Sequence, residues 1–212
     1  MVLTYKPTTQ GIRFIFGIGI IGLSIYLFYV ALAAKNSPEL FVLPERKPAQ
    51  EHECRISAIG DYSVCLPGDM HLSQGIDRIE VLSAQKKIRG SIEFMKTLPQ
   101  ESAWRESLKN PLIQLFIKDM DDMDTFHLML CILEYRYNPS LMGAKSKLIP
   151  PWMKNNPDSA IIVPEGKDAL LFYTPLKVLG MVFSGKDIVM LSLEGEIDEA
   201  LAVSIIDSIR PI

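Results

Sequence analysis

"GKDALLFYTPLKVLGMVFSGKDIVMLSL", residues 166–193, is the stretch on which the fold class turns. Its apolar residues fall into three short runs, "ALLFYTP", "KVLGMVF" and "DIVMLSL", with the length and the β-branched and aromatic content of strands. Two of them are entered through the same tripeptide, Gly166-Lys167-Asp168 and Gly185-Lys186-Asp187. That tripeptide is hairpin punctuation and lacks the spacing of a phosphate-binding loop. With "AIIVP" (160–164) ahead of them, the runs predict an antiparallel meander.

Working upstream, "CRISAI" (54–59), "YSVCLP" (62–67), "RIEVLSA" (78–84) and "IRGSIEFMKT" (88–97) also read as strands. In the last of these Ile88, Gly90, Ile92 and Phe94 alternate with polar residues. Between the two strand regions the period changes. "PQESAWRESLKN" and "PLIQLFIKDM" look helical, and "DTFHLMLCILEYRY" is the strongest helix, with Asp124 as N-cap and Pro139 beyond its end. "SKLIPPWMKNNPDS" is a loop dense in proline and asparagine. The chain closes on "EIDEALAVSIIDSIRP", where Ile197, Leu201, Ile205 and Ile209 recur every four residues and define an amphipathic helix packed on the sheet.

The amino-terminal end has a different character. From Phe14 to Ala34 runs "FIFGIGIIGLSIYLFYVALAA", uncharged and long enough as a helix to cross a hydrocarbon core of about 30 Å. Ala31-Leu32-Ala33 offers a signal-peptidase type site, but the run exceeds an ordinary signal peptide core, which favours an uncleaved anchor. The expected organisation is therefore a short tail (1–13), a transmembrane signal anchor (14–34), a stalk containing Pro38, Pro44 and Pro48 (35–52), and one domain (53–212). The expected fold class is α+β: a transmembrane helix followed by an antiparallel β-sheet packed against helices. The expected localisation is a single-pass membrane protein, in a bacterial inner membrane, with the carboxy-terminal domain extracytoplasmic in the periplasm.

Composition narrows the function classes. The 212 residues carry a formal net charge of -3 and a mean hydropathy of +0.17. Without a global positive field, nucleic acid is excluded as an expected partner. The basic clusters at Lys86, Lys87 and Arg89, and at Lys145 and Lys147, read as solvated surface.

Cys54 and Cys65 flank a Gly60-Asp61 turn signal. If Ala58 to Asp61 form a four-residue loop, Ser57 faces Tyr62 and Cys54 faces Cys65, within reach of a cross-strand disulfide in an oxidising compartment. A two-residue turn would instead put the cysteines on non-facing positions and leave two small hydrophobes. The Cys54–Cys65 disulfide is the expectation, with both registers open to the sequence.

"KDMDDMDTFHLMLC" invites a metal reading through Asp119, Asp121, Asp122 and Asp124 and through the helical stripe Met123, His127 and Cys131. As a calcium loop it fails, because its sixth position is Asp124 and its twelfth Leu130. Acids at a helix start follow from the helix dipole, and a Met/His/Cys stripe is ordinary core, so no metal and no cofactor is expected. G-x-S-x-G, H-E-x-x-H, paired zinc ligands and dinucleotide fingerprints do not occur, Glu194 and Glu196 flank Gly195 in a solvated turn, His52 and His71 read as loop residues, and no catalytic residue is assigned.

The hairpin "DYSVCLPGDM", central helices, the meander and a closing helix ending "IIDSIRP" together resemble the PsbP-like family, which also takes in DcrB-like envelope proteins; the likeness covers residues 54–211. It implies a non-catalytic binding or accessory role. The chain departs from the family in its anchor and in a helical insertion around residues 100–138. The expected function is accordingly that of an anchored cell-envelope accessory or assembly protein, held to the lipid bilayer by one helix, whose domain binds a membrane or envelope protein. The alternative is a small-ligand binder or enzyme using residues 148–157, with Pro150, Pro151, Trp152, Lys154, Asn155 and Asn156 as the partner or ligand loop.

Overall fold

The computed structural model describes residues 19–28, 39–43, 54–83, 87–98, 101–109, 123–134, 141–154 and 156–212. The strands are β1 (Glu39–Leu43), β2 (Cys54–Ile59), β3 (Tyr62–Pro67), β4 (His71–Gln74), β5 (Arg78–Ser83), β6 (Ile88–Met95), β7 (Ala160–Pro164), β8 (Ala169–Thr174), β9 (Lys177–Ser184), β10 (Asp187–Glu194) and β11 (Arg210–Pro211). The helices are α1 (residues 19–28), α2 (Glu101–Leu108), α3 (Thr125–Glu134), α4 (Met142–Leu148) and α5 (Glu199–Ser208), with a 3-10 turn at Pro151–Met153.

Eight strands form one sheet in the order β1-β7-β8-β9-β10-β6-β5-β4, and β11-β3-β2 form a second. The large sheet is antiparallel except at its edge, where β1 runs parallel to β7. Strand β6 joins the meander through β10, with Ser91 opposite Ser192.

Each face of the large sheet has its own core. Because strand side chains alternate, Leu171, Val178, Val182, Val189 and Leu191 point to one face, where the small sheet and α5 cover them with Val64, Leu66, Val203 and Ile206. Leu170, Phe172, Met181, Phe183 and Ile188 point to the other, beneath Trp104, Leu128, Ile132 and Met153. Strands of the meander are thus buried on both faces, which explains why "ALLFYT" is a continuous apolar run.

Two helix termini show how side chains close the ends. Asp124 caps α3 as the sequence predicts, its Oδ1 accepting from the His127 N–H at 2.9 Å. Asp198 caps α5, accepting from the Ala200 N–H at 2.9 Å. Ile197 and Ile209, read as the first and last members of the amphipathic stripe, lie just outside α5 and are both buried.

Several expectations are corrected. The domain is mostly β-sheet, so the α+β class does not hold. Strands β1 and β4 add to the large sheet, β1 within the segment read as stalk and β4 carrying His71, which is a strand residue and not a loop residue. Among the described residues no helix is long and apolar enough to cross a membrane. The described part of helix α1, residues 19–28, rises about 15 Å at ~1.5 Å per residue, against a hydrocarbon core of about 30 Å. The single-pass anchor over 14–34, and the membrane localisation that depended on it, are therefore not supported; the remaining residues of that run lie outside the described residues, as does the predicted helix at 111–120.

The basic pair in α4 is also revised. Lys145 is buried and donates to the carbonyl of Leu133 in the last turn of α3 at 2.9 Å, while exposed Lys147 donates to Ala103 in α2 at 3.0 Å. Both ammonium groups tie neighbouring helices together, favoured at the α3 end by the helix dipole.

Candidate functional site

Cys54 and Cys65 are joined by a disulfide, with Cα atoms 5.5 Å apart. The register differs from the four-residue loop that motivated the pairing. Gly60 and Asp61 form a two-residue turn, Ile59 faces Tyr62, Ile56 faces Cys65, and Cys54 faces Pro67. Gly60 at φ +54 occupies the first turn position, as a II′ hairpin turn requires. The cysteines are diagonal neighbours on the outer face of the small sheet, and the right-handed twist of a two-stranded ribbon brings such a pair within bonding range. Cys65 is held from the opposite edge as well: its N–H donates to Ser208 Oγ at 3.0 Å, and that hydroxyl lies 3.2 Å from the Cys65 carbonyl.

Residues 148–157 connect α4 to β7. Pro150 is buried and begins the 3-10 turn, Met153 is buried in the helical core, and Trp152 is half-buried against that core. Asn156 closes the following turn, its Oδ1 accepting from the Asp158 N–H at 3.0 Å and its carbonyl from Ser159 Oγ at 2.7 Å. Pro151, Lys154 and Pro157 are the exposed members, and Asn155 lies outside the described residues.

On α3, His127 Nδ1 lies 2.7 Å from Asp124 Oδ2 and Cys131 follows one turn later. Burial raises the Asp124 pKa, yet the hydrogen bonds from the His127 backbone and ring outweigh it and leave the carboxyl below its ordinary value. Burial, together with Glu134, pushes the Cys131 thiol up, which disfavours the thiolate a nucleophile or soft metal ligand needs. Among the described residues no group of three or more His, Cys, Asp and Glu side chains gathers to hold a metal ion; Asp119, Asp121 and Asp122 lie outside them.

The feature that sequence reasoning missed is a bare half-face of the large sheet. Helices α2 to α4 cover β7, β8 and β9, while among the described residues no helix covers the same face of β4, β5, β6 and the far half of β10. Register places Ser73, Glu80, Ser91 and Ser192 in one row across four strands. The flanking rows carry Arg78 beside Glu93, and Leu82, Arg89, Glu194 and Lys177 in succession. Apart from Glu93 and Lys177, these residues together with His71 line a shallow depression of about 520 Å³.

Its charges are matched internally. Arg78 pairs with Glu93 at 3.3 Å and Glu80 at 3.6 Å, and Ser91 Oγ donates to Glu93 at 2.9 Å. Glu194 accepts from Lys177 and, at 3.1 Å, from Arg89. Those two donors, Lys177 first, hold the Glu194 carboxyl below its ordinary range. Three cations (Arg78, Arg89, Lys177) and three anions (Glu80, Glu93, Glu194) give the surface no net charge. The signal was present in "RIEVLS" and "IRGSIEFM", where Arg and Glu occupy alternate positions on one face of each strand.

The ionic groups of this polar sheet surface neutralise one another instead of converging on a common point. In comparison with known proteins, neither a family model nor a curated protein matches the chain.

Proposed function

We propose that this chain is a non-catalytic accessory or assembly protein of an oxidising compartment, which docks another protein on the open half-face formed by β4, β5, β6 and β10. The observation that carries the reading is that, among the described residues, the helices cover only half of the sheet, leaving paired Arg and Glu side chains at the surface of a rigid frame. The Cys54–Cys65 disulfide supports the compartment, since such bonds persist where thiols are not kept reduced. The likeness to PsbP-like accessory proteins points the same way.

The size of the surface sets the strength of the contact. Four strands at ~4.8 Å spacing and about six residues at ~3.3 Å give an area on the order of 400 Å², half of what one side of a stable interface buries. The partner is thus a protein presenting its own mixed acidic and basic surface, bound transiently, with charge complementarity fixing register more than affinity. The rival, a small-ligand site at residues 148–157, has among the described residues Pro151, Lys154 and Pro157 exposed and part of Trp152 and Asn156 to offer.

Affinity capture of the tagged full-length chain from its host, followed by native mass determination, tests the proposal. A protein that co-purifies with the chain and is lost from the Arg89→Glu/Lys177→Glu variant, with thermal unfolding unchanged, is the expected result. A partner retained by that variant removes the open face from consideration. A chain carrying no protein but a small molecule transfers the argument to residues 148–157.

A further inference from the structure

We propose that β1 is an exchangeable strand, so that residues 39–43 of one copy fill the β7 edge of a second copy and two chains complete each other's large sheets. The inference rests on the β7 edge and is independent of the open half-face. Strand β7 is apolar and two-sided: Ile161 and Val163 belong to the helical core and Ile162 to the opposite one. A strand buried on both faces with an uncovered outer backbone is a template for pairing, so β7 needs a neighbour.

Strand β1 supplies that neighbour from outside the meander. It pairs in parallel from Glu39 opposite Ala160 to Leu43 opposite Pro164, and it meets no other described element to a comparable extent. The β7 to β10 strands are joined by short turns, whereas β1 is separated from β2 by residues 44–53, which include Pro44 and Pro48. Fully extended, that connection spans at most about 35 Å, and proline favours the extended form. An edge strand at the end of such an arm is the kind of element exchanged in domain swapping. Because pairing at β7 is through backbone, any copy's "ELFVL" fits any copy's edge. Reciprocal exchange closes at two chains with no open end, so the product is a dimer and not a filament.

The test uses full-length chains with Cys131→Ala, which removes the free thiol. One variant carries Glu39→Cys, another Ala160→Cys, and a third both; the first two are co-expressed and oxidised mildly. The expected result is a non-reducible-by-dilution dimer of twice the chain mass that forms a disulfide between the two different variants. Closure of the double variant within a single chain of monomer mass, without cross-linking in the mixture, overturns exchange. Failure of both to cross-link also overturns it, because β1 then does not occupy the β7 edge.

Discussion

The Lys167 ammonium lies 2.7 Å from the carbonyl oxygen of Ile209, binding the β7–β8 turn to the end of α5. It also donates to Ile206 at 2.6 Å and to Asp207 at 3.0 Å. The last carbonyls of a helix have no partner within the helix, and here one side chain from a distant turn supplies three bonds. Ser208, between these carbonyls, holds Cys65. The helix end therefore joins the large sheet, the small sheet and the disulfide at one place.

Replacing Lys167 by Met removes all three of these bonds, although the Ile206 carbonyl keeps the Ile209 N–H at 3.2 Å. Lys167→Met is expected to cost about 2 kcal/mol, from the usual range for hydrogen bonds to a charged group. Lys186, which opens the β9–β10 hairpin in an identical Gly-Lys-Asp setting, is exposed, and Lys186→Met is expected to stay within about 0.5 kcal/mol. Urea unfolding of both variants checks the contrast. Equal costs would show that α5 is not held by this lysine.

The same residue gives a pH dependence with a definite sign. Burial, reinforced by Arg210 and opposed by Asp207, brings the Lys167 pKa down to about 8 from an ordinary 10.5. Between these values the unfolded chain holds the proton and the folded chain has lost it, so unfolding takes up a proton and stability rises with pH. The stability of the wild-type chain relative to Lys167→Met is therefore expected to increase from pH 8 to pH 10.5 and to be flat below pH 7. Paired urea curves across that range measure it. A difference that is constant with pH would mean that the folded ammonium titrates normally.

The disulfide closes a loop with a sequence separation of 11. Constraining so short a loop in the unfolded chain is worth about 3 kcal/mol in the loop-entropy account. Cys54→Ser/Cys65→Ser is expected to lose that amount, and reduction of the wild-type chain to lose the same. Denaturant melts with and without reductant provide the comparison. Because both cysteines lie on the outer face of the small sheet, the reduced chain keeps the inner-face packing of Val64 and Leu66 and is expected to remain folded.

How much of this was legible in the sequence depends on the kind of signal. The meander was legible because strands separated by Gly-Lys-Asp and Thr-Pro turns leave little choice of pairing, and α5 was legible from its apolar spacing. Strand β4 was not, since "HLSQ" is polar at an edge where one core-facing residue, Leu72, suffices. Strand β1 was hidden by flanking prolines that read as a stalk. The disulfide was found with the wrong register, as spacing along the chain does not encode the twist that brings diagonal positions together. Hydropathy reported the apolar run at 14–34, of which the described residues hold a helix at 19–28. The open face could have been seen in alternating Arg and Glu, but only topology shows that no helix among the described residues lies over it.

Close approach between β6 and β10 yields the last prediction. An added Cβ at Gly90 would stand 1.9 Å from the carbonyl oxygen of Ser192 and 2.9 Å from Leu193 Cα, both backbone atoms of the neighbouring strand. At Gly180 the nearest atom would be Ile206 Cδ1 at 2.4 Å, the far end of a side chain that can rotate. Both sites lie in the same sheet, so loss of glycine's backbone entropy favours alanine equally at each. The clash differs. Gly90→Ala must separate two strands that also carry the Arg89–Glu194 pair, and is expected to cost more than about 3 kcal/mol; Gly180→Ala, repacking Ile206, is expected to cost about 1–2 kcal/mol. Thermal and urea unfolding rank the two. If Gly180→Ala proved the more damaging, the packing of α5 on β9 would be the stiffer contact, and the β6–β10 junction would have slack that its backbone geometry does not show.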